Sequence, residues 1–207
     1  MLRPMGACRE HRRRRRSIAV LSAATALVAA AGAFAATSKT VVIADPTEDV
    51  SGSLDLQRAS LNLASDGRLR AVITLTGKVD PKTMLAGSGP PGSVCLKVWT
   101  AKDADPAAGR PDRLVCITAR TADELRASVY EQREPGLPRR LGSASVRVND
   151  SERSFVLRVS QSVLGRPELI RFAIESTRQG CERVSCIDDA PDAGAVRRFR
   201  IRGKPGS

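Results

Sequence analysis

The chain has 207 residues, with 34 Lys plus Arg against 22 Asp plus Glu, a formal net charge of +12, five Cys, one His and 3% aromatic residues. That length fits one domain with a terminal extension better than two full domains. The aromatic shortage argues against nucleic-acid binding, which combines a basic groove with stacking rings.

Residues 1–35 hold seven Arg and one Glu, so half of the formal charge sits there. Met1 to Arg16 is a basic head, Ile18 to Ala31 an Ala-rich apolar stretch, and Ala33-Phe34-Ala35 a small-x-small site. These parts in this order predict a secretory signal peptide cleaved after Ala35. An uncleaved N-terminal membrane anchor is the alternative, although Ala, Ser and Thr make the run weakly hydrophobic for a span. The arginines before Ser17 leave a twin-arginine export route open. The expected organisation is a signal at 1–35 and a single domain over 36–207, secreted or extracytoplasmic, meeting membrane only through an uncleaved N-terminus. Cleavage discards Cys8 and His11, the one histidine. Ser-His-Asp and Cys-His catalysis, His-ligated zinc and His-based pH switching are then excluded.

From residue 40 onward, short segments with period-two alternation are separated by Gly, Pro, Asp and Asn clusters, and no window holds a 3.6-residue period for three turns. The acidic opening, Asp45-Pro-Thr-Glu-Asp49-Val-Ser-Gly52-Ser-Leu54-Asp55-Leu56, leads into a strand. Its carboxylates suit either the capping of turns or calcium, which takes oxygen ligands on flexible loops. Leu54, Leu56, Leu61 and Leu63 run to the turn Ser65-Asp66-Gly67, after which Leu69, Ala71, Ile73 and Leu75 alternate with polar or smaller residues. A hairpin follows from that pattern.

Val94, Leu96 and Val98 alternate with Cys95, Lys97 and Trp99, and Leu114 to Ala119 resumes the alternation beyond a Pro/Gly/Asp-rich loop. If Cys95 bonds directly across to Cys116, Val94 faces Ile117 and Leu96 faces Val115, leaving one aliphatic face and one carrying the disulfide. With Cys181 and Cys186 the thiols number four in an oxidising compartment, so two disulfides are expected. Three pairings are open, and the most local joins Cys95 to Cys116 and Cys181 to Cys186. A four-Cys zinc site is the weaker alternative, because neither pair has CxxC spacing. Trp99 lies on the Cys95 face, as a sugar-stacking ring or as packing; Tyr130 is the other candidate platform.

Further strands are expected at Glu124–Glu131, Ser143–Val148, Ser154–Val159, Glu168–Glu175 and Val196–Ile201, with a helical turn at Gln161–Gly165. The whole reads as all-β: an antiparallel two-sheet β-sandwich, jelly-roll-like, of roughly eight strands. Arginine outnumbers lysine 28 to 6 and alternates with apolar residues, as in Arg198-Phe199-Arg200-Ile201-Arg202, the pattern of a solvent-facing strand surface. Such a surface attracts anionic wall polymers by screened electrostatics.

The pattern Asp45-Pro-x-x-Asp49-Val-x-Gly52-x-Leu54-Asp55-Leu56, with Cys186-Ile-Asp188-Asp189-Ala-Pro-Asp192-x-Gly194, resembles exported bacterial β-sandwich domains of the DOMON and family 9 carbohydrate-binding-module group. The resemblance implies sugar, haem or calcium binding. Haem is set aside because no His remains after cleavage and Met84 is the sole remaining Met. No cofactor is certain; calcium is the candidate, with Asp45, Asp49, Asp55, Asp188, Asp189 and Asp192 as ligands. Three classes of function compete: a non-catalytic module for carbohydrate or anionic wall polymer, a carboxylate-dependent hydrolase using a pair such as Glu131 and Glu134 or Glu168 and Glu175, and a purely structural exported protein. A concave face holding Trp99 or Tyr130 among polar neighbours favours the first, facing acids in a cleft the second, and a smooth Arg-studded surface the third.

Overall fold

The computed structural model describes residues 39–46, 52–87, 89–101, 105–106, 109–133, 136–149, 151–180, 186–192 and 194–201, which belong to a compact unit over Thr37–Ser207. Among the described residues there is no α-helix, and eleven strands form one antiparallel sheet. They are β1 (Val41–Ala44), β2 (Leu56–Leu63), β3 (Leu69–Leu75), β4 (Ser93–Trp99), β5 (Arg113–Ala119), β6 (Leu125–Glu131), β7 (Arg139–Val148), β8 (Ser154–Val159), β9 (Leu169–Thr177), β10 (Ile187–Ala190) and β11 (Arg197–Arg200). Short 3-10 turns at Pro81–Met84 and Gln161–Leu164 punctuate them.

The expected hairpin is β2–β3. Gly67 has φ of 74°, the left-handed conformation such a turn asks of one residue, and its N–H donates to Ala64 O at 2.9 Å. The apolar phase changes along β2: Leu56 points inward, and so do Ala59 and Leu61. A bulge between Leu56 and Arg58 absorbs the extra residue and keeps Leu56 on the buried face with Ala59 and Leu61. In β4–β5 the pairs are Cys95 with Cys116, Val94 with Ile117 and Leu96 with Val115, as the cysteine positions require.

The expected eight-stranded sandwich is corrected to a nearly closed barrel. The strand order is β1-β2-β3-β8-β7-β6-β5-β4-β9, with β10 and β11 both on the far edge of β9. The physical reason is β7, which is ten residues long rather than six. Its first half pairs with β6 and its second half with β8, so a single strand belongs to what would otherwise be two sheets. Closure occurs where β10 lies against β2 and β11 against β1. There the Leu56 N–H donates to Asp188 Oδ2 at 2.6 Å and Ser176 Oγ donates to Leu54 O at 2.6 Å. The interior is filled by side chains, including Phe155, Phe172 and Phe199, so these three rings serve the core and not a ligand platform.

Candidate functional site

Strand alternation that sends Val94, Leu96 and Val98 into the barrel sends Lys97 and Trp99 outward. Lys97 is paired in register with Leu114 of β5 and Ala173 of β9, and Glu175 of β9 lies opposite Asp189 of β10. Four adjacent strands thus build one outer floor, on which Lys97 Nζ donates to Asp189 Oδ1 at 2.8 Å and to Glu175 Oε2 at 3.0 Å. Burial pushes the Lys97 ammonium down, but the hydrogen bond it donates to Asp189 and the charge of Glu175 outweigh it and hold the group above its usual value. Lys97 is therefore a fixed cation and donor, unsuited to act as a base or nucleophile at neutral pH.

Two loops raise walls on this floor. The β4–β5 loop contributes Pro106, Gly109, Arg110 and Pro111, and the β10–β11 loop contributes Pro191, Gly194 and Ala195. Asp112 clamps the base of the first loop: its Oδ2 accepts from Thr100 N at 2.6 Å, Thr100 Oγ1 at 3.0 Å and Ala101 N at 3.2 Å. The open cleft between them measures about 560 Å³ and is also lined by Leu114 and Gln132, a volume in the range of small-molecule sites.

Trp99 lines this cleft but is only 4% exposed, and its Nε1 donates to Gly109 O at 3.2 Å. The ring thus packs the floor against the loop and offers no broad stacking face. Tyr130 lies on the same outer surface two strands from Lys97, but lines a separate depression with Arg126 and Arg140. The two aromatic candidates do not share a site.

Asp45, Asp55 and Asp188 are buried. The two acidic segments do converge, since the Asp188 carboxylate accepts from the N–H of Leu56, the residue after Asp55. Asp188 and Asp189 are consecutive in a strand, so one faces the seam and the other faces Lys97. Asp192 is exposed on the β10–β11 loop, and Asp49 lies outside the described residues. Among the described residues, no group of three or more His, Cys, Asp or Glu could hold a metal ion. Cys186 is in a disulfide; its expected partner, Cys181, also lies outside the described residues.

The carboxylate pairs fare differently. Glu168 and Glu175 flank and occupy β9 seven residues apart, about 23 Å along an extended strand, too far for glycosidic acid–base work, which needs about 5–9.5 Å. Glu131 is enclosed by guanidinium groups of Arg139 at 2.8 Å, Arg113 at 3.2 Å and Arg133 at 3.3 Å, and Glu134 lies outside the described residues. Partial burial works to raise the Glu131 carboxyl, but the hydrogen bond from Arg133 and the charges of Arg139 and Arg113 hold it below the usual carboxylate range. Sequence reasoning missed Glu175 with Asp189, which meet through Lys97. The cysteine register places Lys97 outward, but the stretch that forms β10 carries no strand pattern, so the sequence assigns Asp189 no face.

The class defined by these features is an all-β, antiparallel, nearly closed barrel carrying a ligand-sized cleft on its outer wall. No family model matches the sequence, and no curated protein matches it.

Proposed function

We propose that this chain is an exported, non-catalytic binding module that holds a neutral saccharide in the cleft over Lys97. The observation that carries the reading is the balance of the lining: Lys97 and Arg110 against Glu175 and Asp189. Sugar hydroxyls both donate and accept, and a floor with an ammonium between two carboxylates offers both functions. A cleft whose described lining residues carry no net formal charge gives an anionic polymer no electrostatic advantage. The resemblance to the DOMON and family 9 carbohydrate-binding-module group supports sugar among that group's ligands, and the residues 1–35 pattern supports export.

A carboxylate-dependent hydrolase is the second reading, favoured by two acids in one cleft, both within hydrogen-bonding distance of Lys97 Nζ. Against it, acid catalysis needs one carboxyl as proton donor, and the ammonium engages both as acceptors. The test is glycan-array binding of the full chain at about 0.15 and about 0.5 M salt, where screening separates shape from charge. Neutral glycan binding that persists at high salt and weakens about tenfold in Glu175→Gln, the scale of a lost charged hydrogen bond, supports the module. Binding abolished by salt, or untouched by Glu175→Gln, contradicts it; release of new reducing ends from the bound glycan favours the hydrolase.

A further inference from the structure

The outer wall over β6, β7 and β8 has a different chemistry. Alternation and register place Arg70, Arg158 and Ser145 side by side across β3, β8 and β7, with Arg147 two residues further along β7. Beside them lies a depression of about 220 Å³ lined by Ser145, Val146, Arg147, Val156 and Arg158. Ser145 and Val146 also line the neighbouring depression of about 430 Å³, which holds Arg126, Arg140, Tyr130, Ser128 and Ser143. The two thus adjoin at Ser145 and Val146, and among the described residues none that lines either is acidic. Arg147 in one depression and Arg140 in the other stand seven residues apart on β7, about 23 Å at strand rise, and the two depressions together are taken as one groove.

Like charges directly opposite on a sheet are destabilising, and Arg70 and Arg158 are such a pair. Elsewhere this chain answers a cluster of arginines with an acid, as Glu131 does for Arg113, Arg133 and Arg139. Here the answer is slight. Asp66 reaches Arg158 at 3.7 Å from the β2–β3 turn, and Arg126 Nε donates to the neutral Thr118 Oγ1 at 3.1 Å. The Nε of Arg158 is buried and makes no hydrogen bond among the described residues. Planar guanidinium forks at intervals along a groove match sulfate, phosphate or carboxylate groups at intervals along a chain.

We propose that this groove binds an extended acidic polysaccharide, its anionic groups held by Arg158, Arg147, Arg126 and Arg140 and its hydroxyls by the exposed Ser143 and Ser145. Among the described residues Tyr130 is the single ring lining the groove, whereas a nucleic-acid strand is held by stacking successive bases on several. The serines fit sugar hydroxyls better than bases. This site is separate from the cleft over Lys97 and does not depend on the reading of that cleft.

The test is fluorescence anisotropy of the secreted, processed protein with a labelled heparin hexasaccharide, with uncharged dextran and single-stranded DNA of similar length as competitors. The double variant Arg147→Ser with Arg158→Ser should lower heparin affinity about tenfold or more, and Arg126→Ser with Arg140→Ser similarly, the scale of lost charged hydrogen bonds. Arg197→Ser with Arg198→Ser removes the same charge from exposed β11 positions and should change affinity less than about threefold, as a screened long-range effect. Unchanged melting temperatures establish that the variants fold. Arg147→Lys with Arg158→Lys keeps the charge, so partial loss in this milder variant supports the site even where the serine variant unfolds. Glu175→Gln should leave heparin binding intact, which separates this site from the saccharide cleft. Equal loss in the groove and β11 variants would reduce the effect to net charge and overturn the proposal. Absence of heparin binding overturns it as well, and tighter binding of DNA than of heparin replaces it with a nucleic-acid site.

Discussion

Asp188 is 2% exposed, and its carboxylate accepts the Leu56 N–H across 132 residues of chain. The bond ties β10 to the start of β2, where the two ends of the sheet meet. Removing the acceptor leaves a buried N–H at the seam. Asp188→Ala should therefore cost about 1.5–3 kcal/mol in urea denaturation, the range for hydrogen bonds to charged groups. Asp188→Asn, which keeps an acceptor oxygen, should cost less; equal stability of the Ala variant and wild type would remove Asp188 from the seam's support. Glu131 works on the acid side. Its folded carboxyl titrates below the ordinary value of 4.5, so its contribution is present above that value and is lost as pH falls through the folded one. Glu131→Gln should flatten the decline of stability in that window. Lys97, raised above 10.5, has the opposite sign: its contribution is present below that value and is lost as pH rises through the folded one.

At the scale of elements, the β4–β5 pair shows what a sequence can specify. Two cysteines fix one cross-strand contact, and period-two alternation then assigns a face to every neighbour, Lys97 and Trp99 included. The Cys95–Cys116 disulfide closes a loop with a sequence separation of 21, and the double variant Cys95→Ser with Cys116→Ser should lose about 3 kcal/mol by loop-entropy reasoning. The β-sheet circular dichroism spectrum should survive, because the same register is also enforced by the buried Val94, Leu96, Val115 and Ile117. Loss of that spectrum under native conditions contradicts the claim that the core sets the register. Three features are less legible. Strand β10 has four residues, with Ile187 outward and Asp188 inward, the reverse of the polarity that signals a strand. Strand β1 is equally short. The first half of β7 follows Pro138 and contains Gly142, so it reads as loop, and without it the link between the two halves of the sheet is invisible.

Over the whole molecule, charge is sorted by surface. The wall over β4, β5, β9 and β10 carries a cleft with acids and bases in balance, and the wall over β6, β7 and β8 carries arginines without acids among its described lining residues. Composition shows an excess of Arg, but the sorting depends on which strands become neighbours. Lys97, Glu175 and Asp189 come from three strands, with Asp189 92 residues from Lys97, and they meet only because β4 and β10 share β9 as a neighbour. No spacing in the sequence carries that information. The balanced cleft and the arginine-lined wall are the two surfaces on which the proposed glycan-binding reading rests. The most direct measurement of the saccharide cleft is backbone chemical-shift mapping by NMR, titrating the full chain with the neutral glycan selected on the array. Shifts gathered at Lys97, Trp99, Gly109, Ala173, Glu175, Asp189 and Gly194 are the expected result. Shifts confined to the arginine groove, or none at saturating glycan, contradict it.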